Sequence, residues 1–220
     1  MKRKLLFALS IACLTTATQA QIGKGSILLG GDLGFSTQKT EPIENVQDTR
    51  KLNGFYISPT AGVAIRNNLV VGGNLSYRAQ SEKRDLNDYS AKYNGYGAGA
   101  FVRKYKPIGK SGFYVFGQAG LQFGYSDQEL KSGGSPIIQK SKITNVGINV
   151  YPGISYAVSK RFHLESGYNN LLSLNYTREK SFLESPGAIS GYTTNGFSLS
   201  SSLSNAQSAF YVGFRVLLSK

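Results

Sequence analysis

Eight stretches of alternating apolar and polar residues run through the chain, joined by connections that alternate between short and long. In the first stretch Ile27, Leu29 and Leu33 alternate with small or polar residues such as Gly30 and Asp32. Because successive side chains of a β-strand point to opposite faces, each stretch predicts a strand with one apolar and one polar face. The apolar faces would point inward in a soluble barrel and outward to lipid in a membrane barrel.

The lengths of the connections favour the membrane barrel. The predicted strands are 25–37, 53–65, 69–81, 93–105, 113–125, 143–158, 162–176 and 207–218. The short connections are 66–68, 106–112 and 159–161, and the long ones are 38–52, 82–92, 126–142 and 177–206. Outer-membrane barrels combine short periplasmic turns with long extracellular loops, whereas a soluble up-and-down barrel has no need for this asymmetry. The sequence therefore predicts an all-β, eight-stranded antiparallel up-and-down transmembrane β-barrel. Pro59 and Pro152 fall inside predicted strands on the lipid face, where we expect local bulges.

The N-terminus has the pattern of a secretory signal peptide. Residues 1–4 are basic, residues 5–14 are apolar, and Ala20 ends a small-x-Ala cleavage site. The apolar run is far shorter than the roughly 20 residues that a spanning helix needs. We therefore predict a signal peptide at 1–20 and a barrel domain at 21–220. Lipidation at Cys13 is a weaker alternative, because Ser10 stands where a lipoprotein signal needs Leu.

The positive charge is concentrated at the short turns. The chain has 25 Lys and Arg against 12 Asp and Glu, a net charge of +13. Cations of the short-turn end, where no acid occurs, are Lys24, Arg66, Lys104, Lys106, Lys110, Lys160, Arg161 and Lys220. We predict that this lipid-headgroup rim contacts inner-leaflet phospholipid phosphates, and we expect no nucleic-acid partner. The alternative, that turns are simply polar, would explain charge but not charge of one sign.

Five charged residues fall on the polar faces of the strands: Asp32, Arg78, Arg103, Glu165 and Arg215. An unpaired charge in a narrow lumen is costly, so these residues need partners. Strand direction and parity place Arg103, Glu165 and Arg215 near the periplasmic end and the other two higher. We therefore predict an Arg103–Glu165–Arg215 cluster; the alternative is a set of separately hydrated side chains.

Residues with catalytic or metal-binding chemistry are scarce. The only histidine, His163, shares parity with Glu165 and should face the lumen or the rim rather than the lipid, where an outer-membrane lipase needs its Ser–His pair. No cluster has metal-ligand spacing. The glycines at 95, 97 and 99 lie in a strand pattern and precede no helix, so they do not form a phosphate loop. We therefore expect no enzymatic activity, no cofactor and no metal.

With the signal, eight strands, Phe101, Val102 and Arg103 before a short turn, and an aromatic-rich final strand, the chain resembles the small outer-membrane β-barrels of the OmpA transmembrane domain and OmpX type. In particular it resembles outer-membrane β-barrel proteins of Bacteroidota. The resemblance implies the bacterial outer membrane as the location, with outer-membrane lipids and the barrel-assembly machinery as partners. The chain departs from the family by ending in Ser219 and Lys220 instead of an aromatic residue.

Two classes of function stay open at this point. The first is a non-enzymatic membrane protein with a plugged polar lumen and four long extracellular loops, serving adhesion, binding of an unidentified extracellular ligand, or envelope integrity. An eight-stranded lumen is just wide enough to be filled by side chains. The second is a secreted, soluble, lipocalin-like barrel with an apolar ligand-binding interior. Extraction separates the two, because only the first requires detergent.

Overall fold

The computed structural model describes residues 22–41, 48–85, 88–133, 137–168, 171–201 and 210–218; the predicted signal peptide lies outside these ranges. The strands are β1 Ile27–Thr40, β2 Arg50–Arg66, β3 Leu69–Arg84, β4 Tyr89–Pro107, β5 Phe113–Lys131, β6 Ile138–Ala157, β7 Phe162–Tyr168, β8 Leu172–Ser185, β9 Ala188–Ser200 and β10 Phe210–Leu218. Among the described residues no helix is long and apolar enough to cross a membrane.

The ten strands build eight staves, a stave being one strand position in the barrel wall. Strands β7 and β8 share a stave because both pair with β6, and β9 and β10 share the last stave because they pair with β8 and β7. Pairing of β5 with β6 and of β1 with β10 closes the antiparallel barrel. The predicted fold class is therefore confirmed. We call the short-turn end of the barrel the lower end and the hairpin end the upper end.

The apolar faces of the strands point outward. Leu33 is 70% exposed, Leu121 54% and Ile148 51%, although each lies in the middle of a paired strand. On β5, Gln122 points into the lumen, opposite to its neighbour Leu121. This arrangement is the inverse of a soluble barrel and matches a barrel surrounded by lipid. The lipocalin-like alternative is therefore not favoured.

Two aromatic girdles mark the limits of the membrane. Outward aromatic residues form one ring toward the upper end, namely Phe35, Phe55, Tyr77, Tyr96, Tyr125, Tyr176 and Phe197, and another toward the lower end, namely Phe113, Tyr156, Phe162 and Phe214. The rings of Tyr77 and Tyr96 lie 5.2 Å apart, and those of Phe113 and Tyr156 lie 4.5 Å apart. From 113 to 125 β5 runs roughly 40 Å, and a tilt of about 40° reduces this to roughly 30 Å across the membrane. That span matches a bilayer core with its interfaces.

Three of the four predicted long loops, 82–92, 126–142 and 177–206, are mostly strand, which corrects the loop boundaries. Strand β5 continues to Lys131 and β6 begins at Ile138, so most of 126–142 is a paired hairpin. Strand β9 lies wholly inside the predicted loop 177–206. Strands β5 and β6 reach 19 and 20 residues, whereas about 9–11 suffice to cross the membrane. The barrel wall therefore extends above the lipid, where pairing no longer requires an apolar face.

The two prolines behave differently from each other. Pro59 pairs with Gly31 in unbroken register, so the bulge predicted there is wrong; the register shift of β2 lies instead between Ala64 and Arg66. Beside Pro152 the β6–β8 ladder ends at Val150 and the β6–β7 ladder starts at Gly153. The stave of β7 and β8 carries two more residues than β6 over this interval. An irregularity is therefore present opposite Pro152, which has no N–H to pair.

Candidate functional site

Glu165 on β7 is the centre of a buried ion cluster in the lower half of the lumen. Its Oε2 lies 2.7 Å from Nη1 of Arg103 on β4 and 3.2 Å from Nε of Arg215 on β10. The hydroxyl of Tyr105 donates to Glu165 Oε1 at 2.7 Å, and Arg103 Nε donates to Gln118 Oε1 at 2.7 Å. Arg103 and Glu165 are each 1% exposed and Arg215 2%. The carboxylate therefore has two cations and a hydroxyl as partners without bulk water.

Arg215 lies flat against β1. Its Nη1 donates to the carbonyl oxygens of Phe214 at 2.9 Å and Gly31 at 3.3 Å, and lies 3.5 Å from Asp32 Oδ1. A Cβ on Gly30 would come within 2.5 Å of Arg215 Cδ. The absence of a side chain at Gly30 is therefore what allows Arg215 to span from Glu165 to Asp32.

Beside and beneath the cluster the lumen is closed by an apolar layer, which we call the lumen floor. Its members are Ile22, Leu28, Ala64, Val70, Phe101, Tyr105, Tyr114, Phe116, Ala157 and Leu217, all buried. The ring of Tyr105 lies 5.5 Å from that of Phe116 and meets Tyr114 edge-on at 6.3 Å. Arg103 Cζ sits 4.5 Å above the Phe116 ring, a distance suited to a cation–π contact. The ion cluster and the lumen floor therefore form one continuous plug.

His163 belongs to this lower layer and is buried. Its Nδ1 is 3.2 Å from Ser155 Oγ, and its ring lies 5.7 Å from that of Tyr114. It faces the lumen side, as its parity with Glu165 predicts, and packs as a structural residue. Within the described ranges no three His, Cys, Asp or Glu side chains are arranged to hold a metal.

Above the cluster the lumen contains a cavity of about 490 Å³, which we call the lumen cavity. Its wall carries amide and hydroxyl side chains: Tyr56, Ser58, Thr60, Asn74, Ser76, Gln118, Gln122, Asn145, Asn149 and Tyr151. A second cavity of about 220 Å³ adjoins it toward the upper end. Glycine makes this room, because Gln122 faces Gly99 and Asn145 faces Gly124 across neighbouring strands, where a Cβ would clash with the amide. The cavity wall is therefore polar, and its charges come from Asp32, Arg78, Arg103 and Arg215.

The structure brings together four of the five predicted lumen charges, namely Asp32, Arg103, Glu165 and Arg215. The fifth, Arg78, lies higher in the cavity wall, with its Cζ 5.4 Å from the centroid of the Tyr56 ring. The described rim cations Lys24, Arg66, Lys104, Lys106, Lys110, Lys160 and Arg161 are all at the lower end, and Lys220 lies outside the described residues. Sequence reasoning missed Tyr105 as a cluster member, although it shares parity with Arg103.

Ion pairs also link the hairpins above the membrane. Arg50 donates through Nε and Nη2 to Glu82, each at 2.8 Å, and Arg84 Nε donates to the same carboxylate at 2.7 Å. The hydrogen bonds from Arg50 hold the pKa of the Glu82 carboxyl below its usual range. On the opposite side, Lys140 pairs with Glu184 at 2.8 Å. These contacts tie neighbouring hairpins to each other beyond the lipid.

A sequence model of the outer membrane protein beta-barrel domain matches residues 6–204. The chain belongs to this family. The predicted resemblance to small outer-membrane barrels and the predicted location in the bacterial outer membrane are thereby confirmed. No curated protein matches the chain significantly.

Solved structures of outer-membrane proteins share the fold of this chain. OprG from Pseudomonas aeruginosa is similar with a TM-score of 0.55 and 14% identity, over 91% of this chain and 99% of OprG. A major outer membrane protein from Thermus thermophilus is similar with a TM-score of 0.51 and 10% identity, over 88% of this chain and 99% of that protein. At these identities the likeness concerns the fold alone.

Proposed function

We propose that this outer-membrane barrel is a non-enzymatic, non-conducting protein that binds an extracellular ligand through its upper lumen and hairpins. The observation that carries the proposal is the plug formed by the ion cluster and the lumen floor. Arg103, Glu165 and Arg215 fill the lumen with side chains that are almost fully buried, and aromatic rings close it below. Solute would have to displace both layers to pass.

The lumen cavity supports the binding part of the proposal. Its amides and hydroxyls can both donate and accept hydrogen bonds, which suits a small, hydroxyl-rich solute. Gln122 Nε2 already donates to Asn74 Oδ1 at 3.2 Å, whereas Asn149 Oδ1 is buried and accepts no hydrogen bond among the described residues. His163 sits in the lower layer of the plug, away from this cavity, and supplies no base to it.

The plug predicts that the barrel does not conduct ions. In planar lipid bilayers the wild-type protein should show no stable porin-type conductance steps. Tyr105→Ala removes one ring of the floor and the hydroxyl that binds Glu165, so it should raise the frequency of conductance events. Tyr56→Ala is the matched control, because Tyr56 lines the cavity above the plug. Stable steps from the wild type, or equal behaviour of both variants, would contradict a lumen closed at this level.

The lipid-headgroup rim supports a second role, in envelope integrity. Lys104 and Lys106 share the outward parity of Val102 and lie at the lower boundary of the lipid face. Neither forms an ion pair within the described residues. We propose that the rim holds anionic headgroups of the inner leaflet, which attract juxtamembrane cations.

The rim proposal predicts a lipid-dependent stability. Anionic phosphatidylglycerol vesicles should raise the urea midpoint of the wild type relative to phosphatidylcholine vesicles. Lys104→Gln with Lys106→Gln should remove much of that gain, and salt should weaken it in the wild type. Lys51→Gln with Lys83→Gln, two lysines near the hairpin ends, serves as control. An unchanged gain in the rim variant would show that these lysines are merely solvated.

A further inference from the structure

A group of cations faces outward on the upper part of β6 and β8. Above Val146 on β6 and Tyr176 on β8, which are lipid-facing, the next outward positions include Lys142, Arg178 and Lys180. We call these three residues the outer basic patch. It lies at the opposite end of the barrel from the rim and is separate from the lumen.

The pairing register forces like charges together in this patch. Lys142 stands directly opposite Lys180 on the neighbouring strand, and Arg178 is two residues away on the same face. Like charges directly opposite each other destabilise a strand pair. An anion bound between the two strands therefore stabilises this strand pair by reducing the repulsion between the cations.

Neighbouring acids leave the patch with a net positive charge. Asp127 is opposite Lys142 on β5, where its Oδ1 accepts a hydrogen bond from Tyr125 at 2.8 Å, and its single negative charge offsets at most one of the three cations. Glu184 pairs with Lys140 at 2.8 Å, and Glu179 points to the inner face, where it accepts from Ser181 at 3.0 Å. Strand β9, on the far side, carries no charged residue. In the part of the chain that the structure describes, none of the three cations forms an ion pair.

The patch lies at the height of the outer headgroups. Arg178 is the next outward residue above Tyr176, the girdle residue of β8, and the Lys142–Lys180 pair forms the outward row directly above Arg178. Aromatic girdles sit at the interface between hydrocarbon and headgroups. Long cationic side chains at that height reach headgroup phosphates.

We propose that the outer basic patch binds the phosphate of an anionic lipid headgroup in the outer leaflet. Arg178 supplies a planar fork that suits phosphate oxygens, and the two lysines supply point charges on either side. Thr144 and Thr193, the cross-strand partners of Arg178 and Lys180, add hydroxyl groups beside the cations. The acyl chains of such a lipid would lie along the apolar face below, next to Val146 and Tyr176.

The test is a titration of fluorescent phosphatidic acid into neutral detergent micelles that contain the purified full chain. Lys142→Gln with Lys180→Gln should weaken binding about tenfold or more. Lys51→Gln with Lys83→Gln is a close match, because these lysines also stand directly opposite each other, but farther above the girdle. That control should change affinity by less than about twofold. A heat-shift gel confirms that both variants remain folded barrels.

Two further results decide the assignment. Phosphatidylcholine, whose phosphate is balanced by its own cation, should bind more weakly than phosphatidic acid, and inorganic phosphate should not displace the lipid at equal concentration. Displacement by inorganic phosphate would overturn the lipid assignment in favour of a soluble anion. Equal affinities of the wild type and the patch variant would overturn the site itself.

Discussion

Glu165→Gln should lower the free energy of unfolding by about 3–5 kcal/mol, the loss typical of breaking a buried ion pair on one side. The carboxylate lies 2.7 Å from Arg103 and 3.2 Å from Arg215 in a site that is almost fully buried. Removing its charge leaves two guanidinium groups facing each other without a counter-ion. The measurement is a guanidinium unfolding titration of the protein in lipid vesicles.

A double-mutant cycle shows whether Glu165 and Arg215 are energetically coupled or contribute to stability independently. Adding Arg215→Met to Glu165→Gln should restore part of the stability, because it removes one of the two uncompensated cations. Arg78→Met is the control: Arg78 is also in the lumen, but it contacts the Tyr56 ring, an interaction worth about 1 kcal/mol or less. Additive losses in the cycle, or a silent Glu165→Gln, would show that water reaches each charge separately. The lumen would then be wetter than a plug allows.

Leu121→Arg should destabilise the barrel in vesicles by roughly 2–4 kcal/mol, the cost of a cation on the lipid face near the midplane. Leu121 is outward and lies between Phe113 and Tyr125, the girdle residues of β5. Its neighbour provides the control, because Gln122→Arg places the same side chain in the polar lumen cavity. The measurement compares the free energies of unfolding of the two variants in phosphatidylcholine vesicles. A larger loss for Gln122→Arg would reverse the face assignment of the strand.

The face and the height of many side chains in the barrel could be predicted from the sequence, because two strong constraints act on the residues of the membrane-spanning strands. Lipid requires apolar side chains at alternate positions, which sets the parity of Leu121 and Gln122. The cost of burying a lone charge then requires Arg103, Glu165 and Arg215 to meet once parity places them on one face at one level. Arg78 has the same parity, yet it stands higher and finds the Tyr56 ring instead.

The lumen floor and β9 could not be predicted in the same way. Aromatic residues near strand ends commonly lie in the girdles of a membrane barrel. Only their inward parity distinguishes Tyr105 and Phe116 as lumen residues. Most of strand β9 lies above its girdle residue Phe197, where no apolar alternation is required, and its run of Ser, Thr and Gly therefore resembles a loop. Pairing with β8 over its whole length makes it a strand.

The part of the barrel wall that extends above the lipid also affects the thermodynamics of ligand binding. A 20-residue strand is roughly 65 Å long, so at a tilt of about 40° its upper part stands roughly 20 Å above the hydrocarbon. We call the part of the barrel wall above the lipid the collar. Because paired strands hold its backbone in place, little conformational entropy remains to be lost when a molecule binds to it. Flexible loops of equal length would lose far more conformational entropy on binding. The collar is thus preorganised, and a weak set of polar contacts suffices for a measurable affinity.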